Sequence, residues 1–358
     1  MPNGKGIKYY INGKIQYEGS FINGKFEGNG KYIYDDDYYF IGQYKNGLRN
    51  GKGIKYYPNG KIMFEGEYID DKGEGYGKYN YEDGTYYIGQ FRNGLRNGKG
   101  TEYYSNGKIE YEGDFLNDSR EGKGKYIWED GSYFIGQVIF SLRNGKGKEY
   151  YSNGNIKYEG DYVKDKREGY GKYIWENKIY FVGQWKNGLR NGKGILYYSN
   201  GTINYEGDFV EDNKQGNGKY IWEDGQYFIG QWKNDFRNGK GILYYSNGTI
   251  NYEGDYINDK REGFGKCITV EGNYYIGQWK NDSAHGKGIL YYSNGNIAYE
   301  GDWINGLPNG YGKYIYQDGS YYIGQWKNYL KHGKGTMYNS KKEVENKGNW
   351  INGEFIGN

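Results

Sequence analysis

Tyr252-Glu253-Gly254-Asp255-Tyr256, followed by Gly263-Phe264-Gly265, is the stretch that decides the fold. It recurs along the whole chain. Its anchor glycines are Gly19, Gly42, Gly66, Gly89, Gly113, Gly136, Gly160, Gly183, Gly207, Gly230, Gly254, Gly277, Gly301, Gly324 and Gly348. The steps between them alternate, 23 residues and then 24. A glycine pair follows most anchors at +9 and +11, as Gly192 and Gly194 follow Gly183. A fixed period of this size marks a stacked repeat protein, and here it leaves no segment over for a separate domain.

Length alone, 358 residues, would suggest two or three globular domains, and the period overrides it. The chain holds 65 Gly and 49 Tyr but only 3 Pro, and aliphatics are sparse, so aromatic rings laid against glycine must do the packing. A net charge of +3 is too small to imply nucleic acid. The single cysteine, Cys267, excludes a disulfide framework and fits a reducing compartment. No apolar run approaches the length of a membrane span, and the polar N-terminus does not read as a signal peptide. These features lead to an expected cytoplasmic location.

Two kinds of unit alternate. One, from Tyr205 to Gly225, reads Tyr-Glu-Gly-Asp-aromatic, a charged loop, then Gly-x-Gly-Lys-Tyr-Ile-Trp-Glu-Asp-Gly. The other, from Ile229 to Gly248, reads Ile-Gly-Gln-Trp-Lys-Asn, a second loop, then Gly-Lys-Gly-Ile-Leu-Tyr-Tyr-Ser-Asn-Gly. Each has two short aromatic-rich runs split by a polar loop, the signature of strands and hairpins, and glycine density excludes helix. The fold class is therefore all-β, an elongated single-layer antiparallel meander of about thirty strands spanning residues 1–358. The 23/24 alternation predicts two turn classes. Two-residue turns are expected at Asn-Gly pairs such as Asn294-Gly295. Three-residue turns are expected to end on a left-handed glycine such as Gly225, with Asp37 and Lys178 at that same position elsewhere. All nine tryptophans then fall on the glycine face, because side chains alternate along a strand.

These residues resemble the MORN repeat, the "membrane occupation and recognition nexus" motif, whose pattern is Tyr-x-Gly-x-Trp-x-x-Gly-x-x-x-Gly-x-Gly. Tyr322-Ile323-Gly324-Gln325-Trp326, followed by Gly333-Lys334-Gly335, carries the likeness, and the half reading Tyr-Tyr-Ser-Asn-Gly looks like a related variant. The resemblance covers essentially the whole chain. It implies a structural scaffold without catalytic residues or cofactors, of the kind found in ciliary radial-spoke heads, axonemes and protist cytoskeletons. A second reading it leaves open is a phosphoinositide-binding membrane tether.

No other motif competes. The Gly-x-Gly pairs recur in every unit and lead into strands, unlike a phosphate-binding loop that opens a helix. His285 and His332 stand in one column, too far apart to share a metal, and Cys267 has no histidine near it to make it a nucleophile. Glu65, Glu112, Glu159, Glu206, Glu253 and Glu300 form a solvated column rather than an acid-base pair. Arg49, Arg96, Arg143, Arg190 and Arg237 read as a basic column along one loop edge. Partner proteins, presenting helices or extended segments, are expected on the aromatic face. The candidate contacts are Trp128, Trp175, Trp185, Trp222, Trp232, Trp279, Trp303 and Trp326. Val138, Ile139 and Phe140 join them, where sister units read Trp-Lys-Asn.

Overall fold

The computed structural model describes residues 1–358. It contains 31 strands, from Gly4–Tyr9 to Glu354–Gly357, and no helix. Two units are distinguished, the first built on Met1–Ile174 and the second on Trp175–Trp185 and Leu189–Asn358. Within each, strands pair antiparallel with their chain neighbours, and packing runs between consecutive strands in a single layer.

The glycines form a floor for rings. Gly254 of strand Ile250–Ile257 pairs with Gly265 of strand Lys260–Ile268. The Tyr252 ring lies across both. A Cβ added at Gly265 would sit 2.4 Å from its hydroxyl oxygen, and one at Gly254 equally close. Only glycine leaves that space, so Tyr252 reaches 0% exposure in a sheet with no second layer. In the alternate unit Phe228 covers Gly230 and Gly241 in the same way. The ring two residues after each anchor then packs edge-on against these. Tyr252 meets Tyr256 at 5.3 Å and Trp279 at 5.3 Å, with interplanar angles of 82° and 87°. Each such pair contributes about 0.5–1.5 kcal/mol beyond its area burial. The core is thus a column of crossed rings running through each unit.

The turns correct one expectation. At Asn294-Gly295 the loop has three residues, not two. Gly295 N–H donates to the Tyr292 carbonyl at 2.9 Å and Tyr292 N–H donates to the Asn296 carbonyl at 2.9 Å. Only the glycine is left-handed, at φ 86°. Gly225, also at φ 86°, closes the same three-residue loop. The reason is the residue before the glycine. Asn294 Oδ1 accepts the Asn296 N–H at 2.9 Å, as Asp224 Oδ1 accepts that of Gln226 at 2.9 Å, which holds both in a right-handed turn. The extra residue of the longer repeat is instead bulged out further along. Tyr291 pairs with Ile297 but Leu290 pairs with Tyr299, which skips Ala298. Asp37 at φ 64° and Lys178 at φ 67° do occupy the left-handed position, as expected.

Two-residue turns lie at the opposite edge, in what reads from sequence as charged loops. Lys233 pairs with Phe236, and Asn234 and Asp235 between them are left-handed at φ 50° and 69°. Both central residues at positive φ make a type I′ turn, whose twist suits a hairpin.

Candidate functional site

The tryptophan face is largely covered by its own side chains. Trp185, Trp232, Trp279, Trp303 and Trp326 are 5%, 6%, 8%, 6% and 6% exposed. The indole N–H groups of Trp232, Trp279, Trp303 and Trp326 are also spent, that of Trp279 donating to the Gly265 carbonyl at 3.2 Å and that of Trp326 to Gly312 at 3.1 Å. Trp128, Trp175 and Trp222, beside the three-residue turns, are half-buried. Of the irregular stretch, Val138 takes the tryptophan position and is buried, while Ile139 and Phe140 face solvent. The structure therefore leaves Trp185, Trp232, Trp279, Trp303 and Trp326 with little open surface, and the sheet needs no partner to cover them.

The arginine column is corrected outright. Arg49, Arg96, Arg143, Arg190 and Arg237 do not form a free basic edge. Each guanidinium lies over the rings, as Arg237 does 4.9 Å from the Tyr256 centroid. Each also pairs with an aspartate of the next two-residue turn: Asp71, Asp118, Asp165, Asp212 and Asp259, at 2.9, 3.2, 3.1, 3.0 and 3.1 Å. Their side chains are only 17–19% exposed. Burial alone would lower the Arg49 pKa. The neighbouring Tyr34 and Asp71 outweigh it and hold the group above its ordinary value, so it stays charged.

No group of three or more His, Cys, Asp or Glu side chains is placed to hold a metal ion. Cys267 lies 3.7 Å from Arg261 Nη1, and burial pushes its thiol up, away from the reactive thiolate. The glutamates of the acidic column are exposed and stand opposite lysines, Glu253 against Lys266 and Glu300 against Lys313.

What is open is the other face. Its central row reads Lys219, Ile229, Ile242, Glu253 across four successive strands and then repeats. Grooves run between its side chains over the glycine backbone. In the first unit one of about 760 Å³ is lined by Ile41, Ile54, Glu65, Tyr76, Lys78 and Ile88. In the second, one of about 550 Å³ is lined by Phe264, Ile276, Ile289, Tyr311, Lys313 and Ile323 among others. Exposed aromatics stand on the same face: Tyr76, Tyr170, Phe264 and Tyr311, at 69%, 65%, 62% and 59% exposure, with Tyr76, Phe264 and Tyr311 in groove walls. Each is the middle residue of a Gly-x-Gly pair. Sequence reasoning passed over them, although strand alternation was enough to find them. A residue between two glycines whose Cα atoms face the rings must point the other way.

Comparison with known proteins places the chain in context. A family model described as MORN repeat matches residues 17–37, 40–62, 64–86, 87–109, 111–133, 158–179, 181–203, 205–227, 228–250, 252–274, 275–297, 299–321 and 322–341. A MORN repeat variant matches residues 2–23 and 143–164. No curated protein matches. Among solved structures, the chain is similar to the TCP domain of Drosophila melanogaster SAS-4 in complex with a proline-rich motif of Ana2. Identity is 16%, with 49% of this chain and 86% of that one covered and a TM-score of 0.24. It is also similar to the wild-type TCP10 domain of Danio rerio CPAP, at 10% identity, 72% and 98% coverage and a TM-score of 0.20.

Proposed function

The chain belongs to the MORN repeat proteins, and from that premise we propose that it is a non-catalytic scaffold that gathers protein partners on the face opposite its tryptophans. The observation that carries this reading is the division of labour between the faces. The aromatic face is consumed by intramolecular packing. The other offers apolar grooves with exposed aromatic rings, a combination enriched at binding hot spots. Floors of glycine and walls of isoleucine supply apolar contact, and the flanking lysines and glutamates supply orientation. The tryptophans act indirectly, by fixing the sheet on which the grooves are built. The setting we propose, a cytoplasmic assembly of the ciliary or cytoskeletal kind, rests on the family resemblance alone.

The test is affinity purification of the tagged chain from its own cell. Replacing Tyr76, Tyr170, Phe264 and Tyr311 with serine removes exposed rings only, so the fold should survive, as circular dichroism would verify. Loss of the co-purifying proteins supports the proposal. A folded variant that retains all of them contradicts it. The tether reading is separated by sedimentation with phosphoinositide vesicles at physiological salt, in which we expect the chain to stay in solution.

A further inference from the structure

Along the edge formed by the two-residue turns, the open face ends in a row of its own. In most hairpins this row pairs a base with an aliphatic or aromatic side chain: Lys45 with Leu48, Lys233 with Phe236, Lys327 with Leu330. In the second half of the first unit the bases disappear. The row there reads Leu95, Leu116, Ser119, Ile139, Leu142 and Val163 on successive strands, with Arg92 before it and Lys166 after it. Leu116, Ile139 and Val163 are 52%, 41% and 47% exposed. Phe140, in the turn between Ile139 and Leu142, is 77% exposed.

Phe140 is the telling residue. It sits at φ 50°, a left-handed conformation that most sister turns fill with asparagine, such as Asn234 at φ 50°, and three with Asp70, Lys164 and Glu211. A bulky side chain there is strained. Its exposure shows that intramolecular packing does not compensate. Carboxylates beside the row are already engaged, Glu74 and Glu168 at its ends accepting the N–H groups of Asn93 and Asn187. Asp118 takes Arg96, Asp165 takes Arg143, and Glu121 accepts the Phe140 N–H at 3.1 Å. Neither Arg92 nor Lys166 has an ion-pair partner. The result is an apolar stripe with an unpaired positive charge at each end.

We propose that this stripe docks an amphipathic helix of a protein partner, acidic at both ends of its apolar face. It rests on the scaffold reading but uses a different surface from the grooves. Three arguments select the occupant. The charges at both ends call for acids. The strands here are paired on both sides and turn back on themselves, so a partner's extended backbone finds no ladder to join, whereas a helix satisfies its own backbone. The spacing also fits, since neighbouring strands lie about 4.8 Å apart and a helix rises about 5.4 Å per turn. Apolar residues one turn apart on the helix therefore stay close to successive members of the row over a few strands, the register drifting by about 0.6 Å per strand. From Arg92 to Lys166 there are seven strand steps, about 34 Å, or about 22 helical residues.

The experiment measures fluorescence anisotropy of synthetic helices on the full chain at physiological salt. One peptide has an apolar stripe with glutamates at both ends, and its control has lysines there. The wild type should bind the first at least about tenfold tighter than the second. Ile139→Lys with Phe140→Asn restores the sister sequence and relieves the strained turn, so the variant should fold at least as well yet lose about tenfold in affinity. Arg92→Glu with Lys166→Glu should reverse the preference between peptides. The proposal is overturned if the wild type ignores the glutamate-ended helix, if either variant binds it unchanged, or if the wild type binds phosphatidylserine vesicles in its place. The groove variants of Tyr76, Tyr170, Phe264 and Tyr311 should bind this peptide normally, so failure of one proposal is distinguishable from failure of the other.

Discussion

Arg49 and Asp71 hold each other's backbones. The Asp71 N–H donates to the Arg49 carbonyl at 3.0 Å and the Arg49 N–H donates to Asp71 Oδ1 at 2.9 Å. The guanidinium adds Nε to Oδ1 at 2.9 Å and Nη2 to the Asp71 carbonyl at 2.6 Å. Asp71 is itself left-handed at φ 69°, so the arginine of one hairpin secures the strained turn of the next. The arrangement recurs at Arg96–Asp118, Arg143–Asp165, Arg190–Asp212 and Arg237–Asp259.

Removing one clamp should therefore cost folding energy. Arg237→Ala removes the Nε and Nη2 bonds to Asp259 and uncovers the Tyr256 ring, for an expected loss of about 2 kcal/mol in a urea titration. Asp259→Gly relieves the left-handed strain while losing only the bonds that Oδ1 accepts from the Arg237 N–H and Nε, and is expected to cost less, about 1 kcal/mol. Arg237→Ala behaving as wild type would show that the clamp contributes nothing.

Glycines that carry rings and glycines that make turns should respond differently to alanine. Gly201 has open space around it but φ 86°, so Gly201→Ala pays conformational strain alone, about 1 kcal/mol. Gly265→Ala places a methyl 2.4 Å from the Tyr252 hydroxyl oxygen and must displace the ring. Its cost should be larger and should couple to Tyr252. In a double-mutant cycle, Tyr252→Leu is expected to absorb part of it, with an interaction energy of about 1 kcal/mol or more. Additive effects would mean that the ring does not depend on the glycine floor.

The buried tyrosines predict alkaline unfolding. Burial raises the hydroxyl pKa of Tyr205, Tyr252, Tyr275 and Tyr299 above the ordinary value, and pushes that of Tyr256 up to about 12. A folded pKa above the unfolded one gives stability that is full below the ordinary value of 10.0 and is lost as pH rises through the folded value. Phenolate absorbance should rise in two steps, exposed tyrosines first and the column together with loss of strand signal. A single step with the fold intact would contradict the packing described.

Acid should act through Glu149, which stands where sister units have Leu196, Leu243 and Leu290. Burial would raise its pKa, but the Arg167 hydrogen bond at 2.9 Å and the Arg167 charge outweigh that and hold it below its ordinary 4.5. A depressed folded pKa gives stability that is present above the ordinary value and lost as pH falls through the folded one. Glu149→Gln should be less stable than wild type at neutral pH and should lose less on acidification below 4.5. Parallel pH profiles for the two proteins would refute this role.

Period, strand content, hairpin order and the gathering of the tryptophans on the glycine face were all legible in the sequence, because spacing alone dictates them. Turn geometry was not. Asn294 is read as a type I′ residue from the pair Asn-Gly, but its own side-chain hydrogen bond decides the conformation, and a bulge at Ala298 absorbs the register difference that seemed to require a second turn class. The arginine column was misplaced for a related reason. Arg49 lies next to a turn in sequence, but its partners Asp71 and Tyr68 belong to the following hairpin, a relation that only the folded stack reveals. The open groove was sought beneath the tryptophans because a single layer was expected to need cover. Crossed rings on glycine supply that cover within the layer, and Tyr76, Phe264 and Tyr311 are left to face outward.

Hydroxyl-radical footprinting of the free protein, read residue by residue, tests this division of faces most directly. The account predicts rapid oxidation of Tyr76, Tyr170, Phe264 and Tyr311, and protection of Trp232, Trp279, Trp303 and Trp326 despite the greater intrinsic reactivity of indole. Fast oxidation of those tryptophans in the folded chain, with the four outward rings protected, would contradict it.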